Sequence, residues 1–117
     1  MTPKENLAEQ SCDNNYSRSS ILSEADKNLL LSELDGWSIA IDDEIQKLTK
    51  QFKFKNFLQA LKFTNDVGAM AELENHHPLI STEWGQVTIN WWTHELGGLH
   101  KNDFICAAKT NSLYQSE

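Results

Sequence analysis

Two adjacent histidines, His76 and His77, stand directly before Pro78 in the run Glu-Leu-Glu-Asn-His-His-Pro-Leu over residues 72–79. A third, His94, precedes Glu95 and the pair Gly97-Gly98. A histidine titrates near neutrality, so two imidazoles on opposite sides of a substrate can exchange a proton in each direction without a cofactor. The residue before a proline is pushed out of the helical region, so His77 cannot continue the preceding helix. Its ring and that of His76 then project in different directions, which suits the rim of a pocket. Paired glycines let backbone approach a ligand closely. Loop histidines are also common without any chemical role, and spacing alone leaves both readings standing.

Three imidazoles with an Asp or Glu could complete a tetrahedral zinc site. Adjacent histidines do not easily reach one ion, however, and the chain has neither a His-x-x-x-His nor a closely spaced Cys pair, so no metal and no cofactor are expected. His100 is expected as a solvated residue near the last helix. Trp84, Trp91 and Trp92 cluster around the same region of sequence; such side chains fill cores or interfaces more often than they form ligand platforms. By strand alternation Trp91 and Trp92 face opposite sides, so at most one of them is expected to serve the site directly.

These residues need elements to hold them. Ser23 with Asp26 reads as a helix start, followed by the apolar stripe Ala25, Leu29, Leu30 and Leu34 and a stop at Asp35-Gly36. From Trp37 the pattern turns β-rich in two runs separated by Asp42-Asp43, with Leu48, Phe52 and Phe54 at even spacing. Asn56 can cap a long helix whose inner face is expected to carry Phe57, Leu61, Thr64 and Ala71, flanked by Leu58, Val67 and Met70. Pro78 forces its end upstream. A second hairpin follows around Glu83-Trp84-Gly85, then a last helix from Asn102 or Asp103 with Phe104, Ile105, Ala107 and Ala108 at helical spacings. The order α-β-β-α-β-β-α predicts an α+β fold, a four-stranded antiparallel sheet with three helices on one face.

The 117 residues suit one domain, and 17 acidic against 10 basic residues, a formal charge of -7, leave no footprint for nucleic acid or anionic membranes. No apolar run reaches a bilayer span and the N-terminal stretch lacks the apolar centre of a secretory signal, so a cytoplasmic location is expected. Residues 1–20, poor in apolar periodicity, are expected as a flexible polar leader before a single domain over 21–117. Cys12 and Cys106 are each expected as free thiols.

The ordered set Glu72, His76-His77-Pro78, Trp84, Thr93-His94-Glu95, Gly98-Leu99 and Asp103, with Gly36-Trp37 and Phe52-Lys53-Phe54-Lys55-Asn56-Phe57 before it, closely resembles the pterin-4a-carbinolamine dehydratase family over roughly residues 21–112. The resemblance implies dehydration of 4a-hydroxytetrahydropterin to quinonoid dihydropterin, in support of an aromatic amino-acid hydroxylase, by a homodimer or homotetramer. It implies catalytic roles for His76, His77 and His94, with Glu72, Glu95 and Asp103 supporting them. Pro78, Trp84, Trp92 and Thr93 are expected substrate contacts. Leu79-Ile80-Ser81 departs from the family pattern, where many members carry an aromatic pair, and Trp91-Trp92, where Leu-Ser is common in animal members, resembles a bacterial branch. Two further functions compete: a non-catalytic binding or regulatory protein, and a dehydratase-like protein acting on a molybdopterin-related pterin.

Overall fold

Ser23 and Asn56 start the first two helices as their types dictate, each side-chain oxygen accepting from the backbone N–H three residues on, Asp26 at 3.1 Å and Gln59 at 2.8 Å. The computed structural model describes residues 6–15 and 21–115. Its elements are α1 (Glu24–Leu31), β1 (Ser38–Asp42), β2 (Ile45–Lys53), α2 (Phe57–Glu74), β3 (Leu79–Glu83), β4 (Gln86–Trp91) and α3 (Lys101–Gln115), with short 3-10 turns at Leu7–Glu9 and His94–Leu96. The strands form one antiparallel sheet in the order β1-β2-β4-β3. This is the predicted α+β architecture. Among the described residues no helix is long and apolar enough to cross a membrane.

The sheet has one covered face. Along β4, Val87, Ile89 and Trp91 are buried while Gln86, Thr88 and Asn90 are half-buried, the alternation that a pleated strand imposes. Opposite them in β2 lie Phe52, Lys50 and Leu48. Lys50 therefore shares the covered side, where its ammonium donates to Asn111 Oδ1 and the Asp35 carbonyl, both at 2.8 Å. Phe52, Phe54, Phe63 and Tyr114 pack with ring centroids 4.8–5.8 Å apart, tying β2 to α2 and α3.

Two helices bury a different face from the one expected. In α1, Leu30 and Leu34 are buried as expected, but Ala25 and Leu29 are exposed and the aliphatic stem of Lys27 takes the inner place. The helix also ends at Leu31, before Asp35-Gly36. In α2 the inner face is Ala60, Phe63, Val67 and Ala71, while Phe57, Leu58 and Leu61 are exposed. That helix is apolar on both sides, so periodicity alone does not say which stripe meets the sheet.

The first two turns of α3 are buried on nearly every side, including Asn102 and Asp103. One cover is the segment 6–15, part of the stretch expected as a flexible leader; the remaining leader residues, 1–5 and 16–20, lie outside those described. Leu7 is buried in the core. Asp13 N–H donates to Asn102 Oδ1 at 2.9 Å, Asn102 Nδ2 donates back to the Asp13 carbonyl at 2.7 Å, and Lys109 Nζ donates to the Ala8 carbonyl at 2.9 Å. One buried leucine and a set of backbone hydrogen bonds hold this polar stretch, and neither leaves a periodic signal.

Candidate active site

The site is built where β4 runs out and α3 begins. α2 ends at Glu74, and Asn75 takes the left-handed conformation at φ 53°, which turns the chain so that His76 N–H still closes onto the Ala71 carbonyl at 3.2 Å. His76 then points inward, 6% exposed, and His77 outward. This is the divergence expected of a pair before proline. Pro78, half-buried, leads directly into β3.

His76 Nε2 lies 2.6 Å from Asp103 Oδ1, and Asp103 is fully buried. The other oxygen, Oδ2, accepts from Thr93 Oγ1 at 2.9 Å and from the His100 backbone N–H at 2.9 Å. A carboxylate with hydrogen bonds to both oxygens is held in place and compensated for its burial. The indole of Trp91 stacks on the His76 ring, with centroids 5.5 Å apart and planes at 12°. Its N–H donates to Thr110 Oγ1 at 3.2 Å.

The start of α3 explains why Asp103 is there. His100 Nδ1 accepts from Asn102 N–H at 3.0 Å while Asp103 accepts from His100 N–H, a reciprocal pair around the first turn. This is the capping-box arrangement with an imidazole in place of a hydroxyl. His100 is thus buried, 9% exposed, and not the solvated residue expected. Burial pushes its pKa down from the ordinary 6.5, opposed by Asp103 and Asp13 and reinforced by His76.

His94 and Glu95 lie in the exposed 3-10 turn, which Thr93 N–H closes by donating to the Gly98 carbonyl at 2.8 Å. The His94 ring rests on the indole of Trp92, centroids 4.4 Å apart. Lys47 Nζ sits 4.1 Å from the Trp92 centroid and 3.0 Å from Asp42 Oδ2. Both tryptophans of the pair touch a candidate histidine, Trp91 from the core, where it is fully buried, and Trp92 from the half-buried side. Alternation puts their rings on opposite faces, but the chain's bends at Asn75 and Thr93 bring a histidine to each.

Glu72 Oε2 lies 2.5 Å from His77 Nε2, both side chains exposed. Trp84 is not with these residues: it sits 73% exposed in the β3–β4 turn, at the far end of a hairpin whose near end carries the histidines. A five-residue strand separates the two ends by about 17 Å. Lys47 is the contact that sequence reasoning missed; its only signal was a position in β2 opposite the strand bearing Trp92. A cleft of about 560 Å³ lined by Lys53, Phe54, Lys55, Gln59 and Tyr114 also lies toward that far end. Its lining contains no histidine or carboxylate. Among the described residues no group of three or more His, Cys, Asp or Glu side chains is placed to hold a metal ion.

Known proteins share this arrangement of sequence. The family model described as Pterin 4 alpha carbinolamine dehydratase matches residues 20–113. A protein of Marinobacter nauticus, provisionally named pterin-4-alpha-carbinolamine dehydratase, is 48% identical over 109 residues, covering 93% of this chain and 98% of its own length. One of Vibrio cholerae with the same provisional name is 53% identical over 92 residues, covering 79% and 84%. The crystal structure of a transcriptional coactivator/pterin dehydratase from Brucella melitensis superposes with a TM-score of 0.71 at 33% identity, covering 79% of this chain and 96% of that one. A pterin dehydratase-like protein identified as a RuBisCO assembly factor in the alpha-carboxysome shares the fold, with a TM-score of 0.57 at 24% identity over 70% of this chain and 93% of that one.

Proposed function

Because this chain belongs to the pterin-4-alpha-carbinolamine dehydratase family, we propose that it dehydrates a 4a-hydroxytetrahydropterin to the quinonoid dihydropterin by histidine acid/base catalysis. The observation that carries this reading is the buried His76–Asp103 pair at 2.6 Å, joined through Thr93 to the exposed His94. Elimination needs a proton delivered to the departing 4a hydroxyl, which leaves as water, and a proton removed from the adjacent ring nitrogen, which leaves a C=N bond. One imidazolium and one neutral imidazole supply both.

With Nε2–H donating to the Asp103 carboxylate, neutral His76 is held in the tautomer whose Nδ1 accepts a proton, which suits the base. His94, exposed and braced by Trp92, suits the acid that protonates the leaving hydroxyl. His77, paired to Glu72, orients the pterin, with half-buried Pro78 beside it, while Thr93, fully buried, acts through its hydrogen bond to Asp103. Glu95 helps set the charge around His94. The cycle closes when solvent returns each histidine to its starting state.

The same reading places the protein in the cytoplasm, recycling pterin for an aromatic amino-acid hydroxylase as a homodimer or homotetramer. Exposed apolar residues Phe57, Leu58, Leu61 and Leu73 on α2 support self-association. The test is the rate of 4a-hydroxytetrahydropterin dehydration, with the substrate formed in situ by a phenylalanine hydroxylase. Wild type should accelerate it with chelator present and His94→Ala should not. No acceleration by folded wild type would sink the assignment for this pterin. A molybdopterin-related pterin would then be the next substrate to assay.

A second reading is an interaction protein, supported by the 33% identity to the transcriptional coactivator/pterin dehydratase of Brucella melitensis. It predicts tight binding of a protein partner that His94→Ala leaves unchanged, whereas the enzyme reading predicts turnover that the same change removes.

A further inference from the structure

The chain has two cysteines, 94 residues apart in sequence, and the fold brings their sulfurs to 3.4 Å. This closeness is built from both sides. Cys12 N–H donates to Glu74 Oε1 at 2.8 Å, and the next residue, Asp13, is locked to Asn102 by two reciprocal hydrogen bonds. The Cys12 thiol lies 3.8 Å from the Asn102 carbonyl, and Cys106 follows Asn102 by one turn of α3. Both are free thiols, Cys12 half-buried and Cys106 fully buried.

We propose that Cys12 and Cys106 are a reversible disulfide site that staples the N-terminal segment to α3, oxidised by a low-molecular-weight disulfide such as oxidised glutathione. A disulfide bond is about 2.05 Å long, so the sulfurs must close by roughly 1.4 Å, a distance that side-chain rotation supplies. Access sets the order of events. Cys12 is the sulfur that a solvent-borne oxidant can meet, and the hydrogen bond to Cys12 together with burial holds the Cys106 thiol well above the ordinary thiol range.

Cys12 loses its proton and its sulfur attacks one sulfur of the oxidant, breaking that S–S bond and releasing one thiol. Cys106 then gives up its proton and attacks Cys12 Sγ, expelling the second thiol. Two protein thiols are oxidised and one small disulfide is reduced to two thiols, with the protons balanced between them. The bond closes a loop across most of the chain, which restricts the unfolded state more than the folded one.

The test uses the full chain incubated with excess oxidised glutathione, then analysed by intact mass and by non-reducing peptide mapping. Wild type should lose two hydrogens, yield a peptide linking Cys12 to Cys106, and melt higher than the reduced protein by about 5–10 °C. Dithiothreitol should reverse all three. Cys106→Ser should stop at a glutathione adduct on Cys12, and Cys12→Ser should leave Cys106 unmodified while folded. Wild type that stops at the adduct, keeps both thiols free, or links only between chains would overturn the proposal. The decisive measurement is on wild type, so a variant that folds poorly does not blunt it.

Discussion

Asp103 ties the candidate base to the start of a helix: its Oδ1 lies 2.6 Å from His76 Nε2 while its Oδ2 accepts from the His100 N–H that opens α3. One buried carboxylate thus sets the orientation of an imidazole and closes a helix turn. A change there should reach both the proposed chemistry and the fold.

Asp103→Asn should lower kcat by about 10²-fold or more, because the amide no longer fixes the His76 tautomer. KM should change little. The lost and mismatched buried hydrogen bonds should cost about 1–3 kcal/mol in urea denaturation. A variant that is less stable yet turns over at the wild-type rate would show that Asp103 serves the helix alone.

His94→Ala separates the same two effects from the other side. The residue is exposed, so stability should stay within about 0.5 kcal/mol, while kcat falls by about 10²- to 10⁴-fold. Equal losses in activity and melting temperature would place His94 among structural residues.

Trp92→Leu tests the brace between Lys47 and His94. With the indole gone, His94 loses the surface it rests on at 4.4 Å. We expect kcat to fall about 10-fold with KM changing less, the pattern of a lost transition-state alignment. A rise in KM with kcat intact would instead make Trp92 a surface on which substrate stacks.

His100 should make the fold acid-sensitive. Its folded pKa lies below 6.5, so as pH falls through that value the unfolded chain takes up a proton that the folded chain refuses. Its contribution to stability is whole above 6.5 and drains as pH drops from there toward the lowered folded value. His100→Ser keeps a capping oxygen without the titration. Its urea midpoint should therefore decline less than wild type between pH 7.5 and 5; parallel declines would assign the acid sensitivity elsewhere.

The β1–β2 hairpin turns through Asp43 and Glu44, both left-handed at φ 53° and 65°. Two-residue loops of this kind favour glycine, because a side chain at positive φ is strained. Glu44→Gly should stabilise the protein by about 1 kcal/mol, read as a shift in the denaturation midpoint with unchanged slope. A lower midpoint would mean that the glutamate side chain contributes more than its strain costs.

Local chemistry was legible from residue order alone. Ser23 and Asn56 cap their helices because a short side-chain oxygen does so wherever a helix begins, and Pro78 splits His76 from His77 because its ring excludes helical backbone before it. The α-β-β-α-β-β-α order and its antiparallel sheet follow from such rules, whereas the family was legible only through the resemblance that the ordered motifs around His76, His94 and Asp103 carry. Contacts between distant residues were not legible. Which apolar stripe of α2 meets the sheet, the burial of His100, the meeting of His76 with Asp103 and of Cys12 with Cys106, and the separation of Trp84 from the histidines all depend on how elements pack. Periodicity records which side chains share a face, whereas packing decides what that face touches, and buried hydrogen bonds then reward pairings that no local pattern encodes.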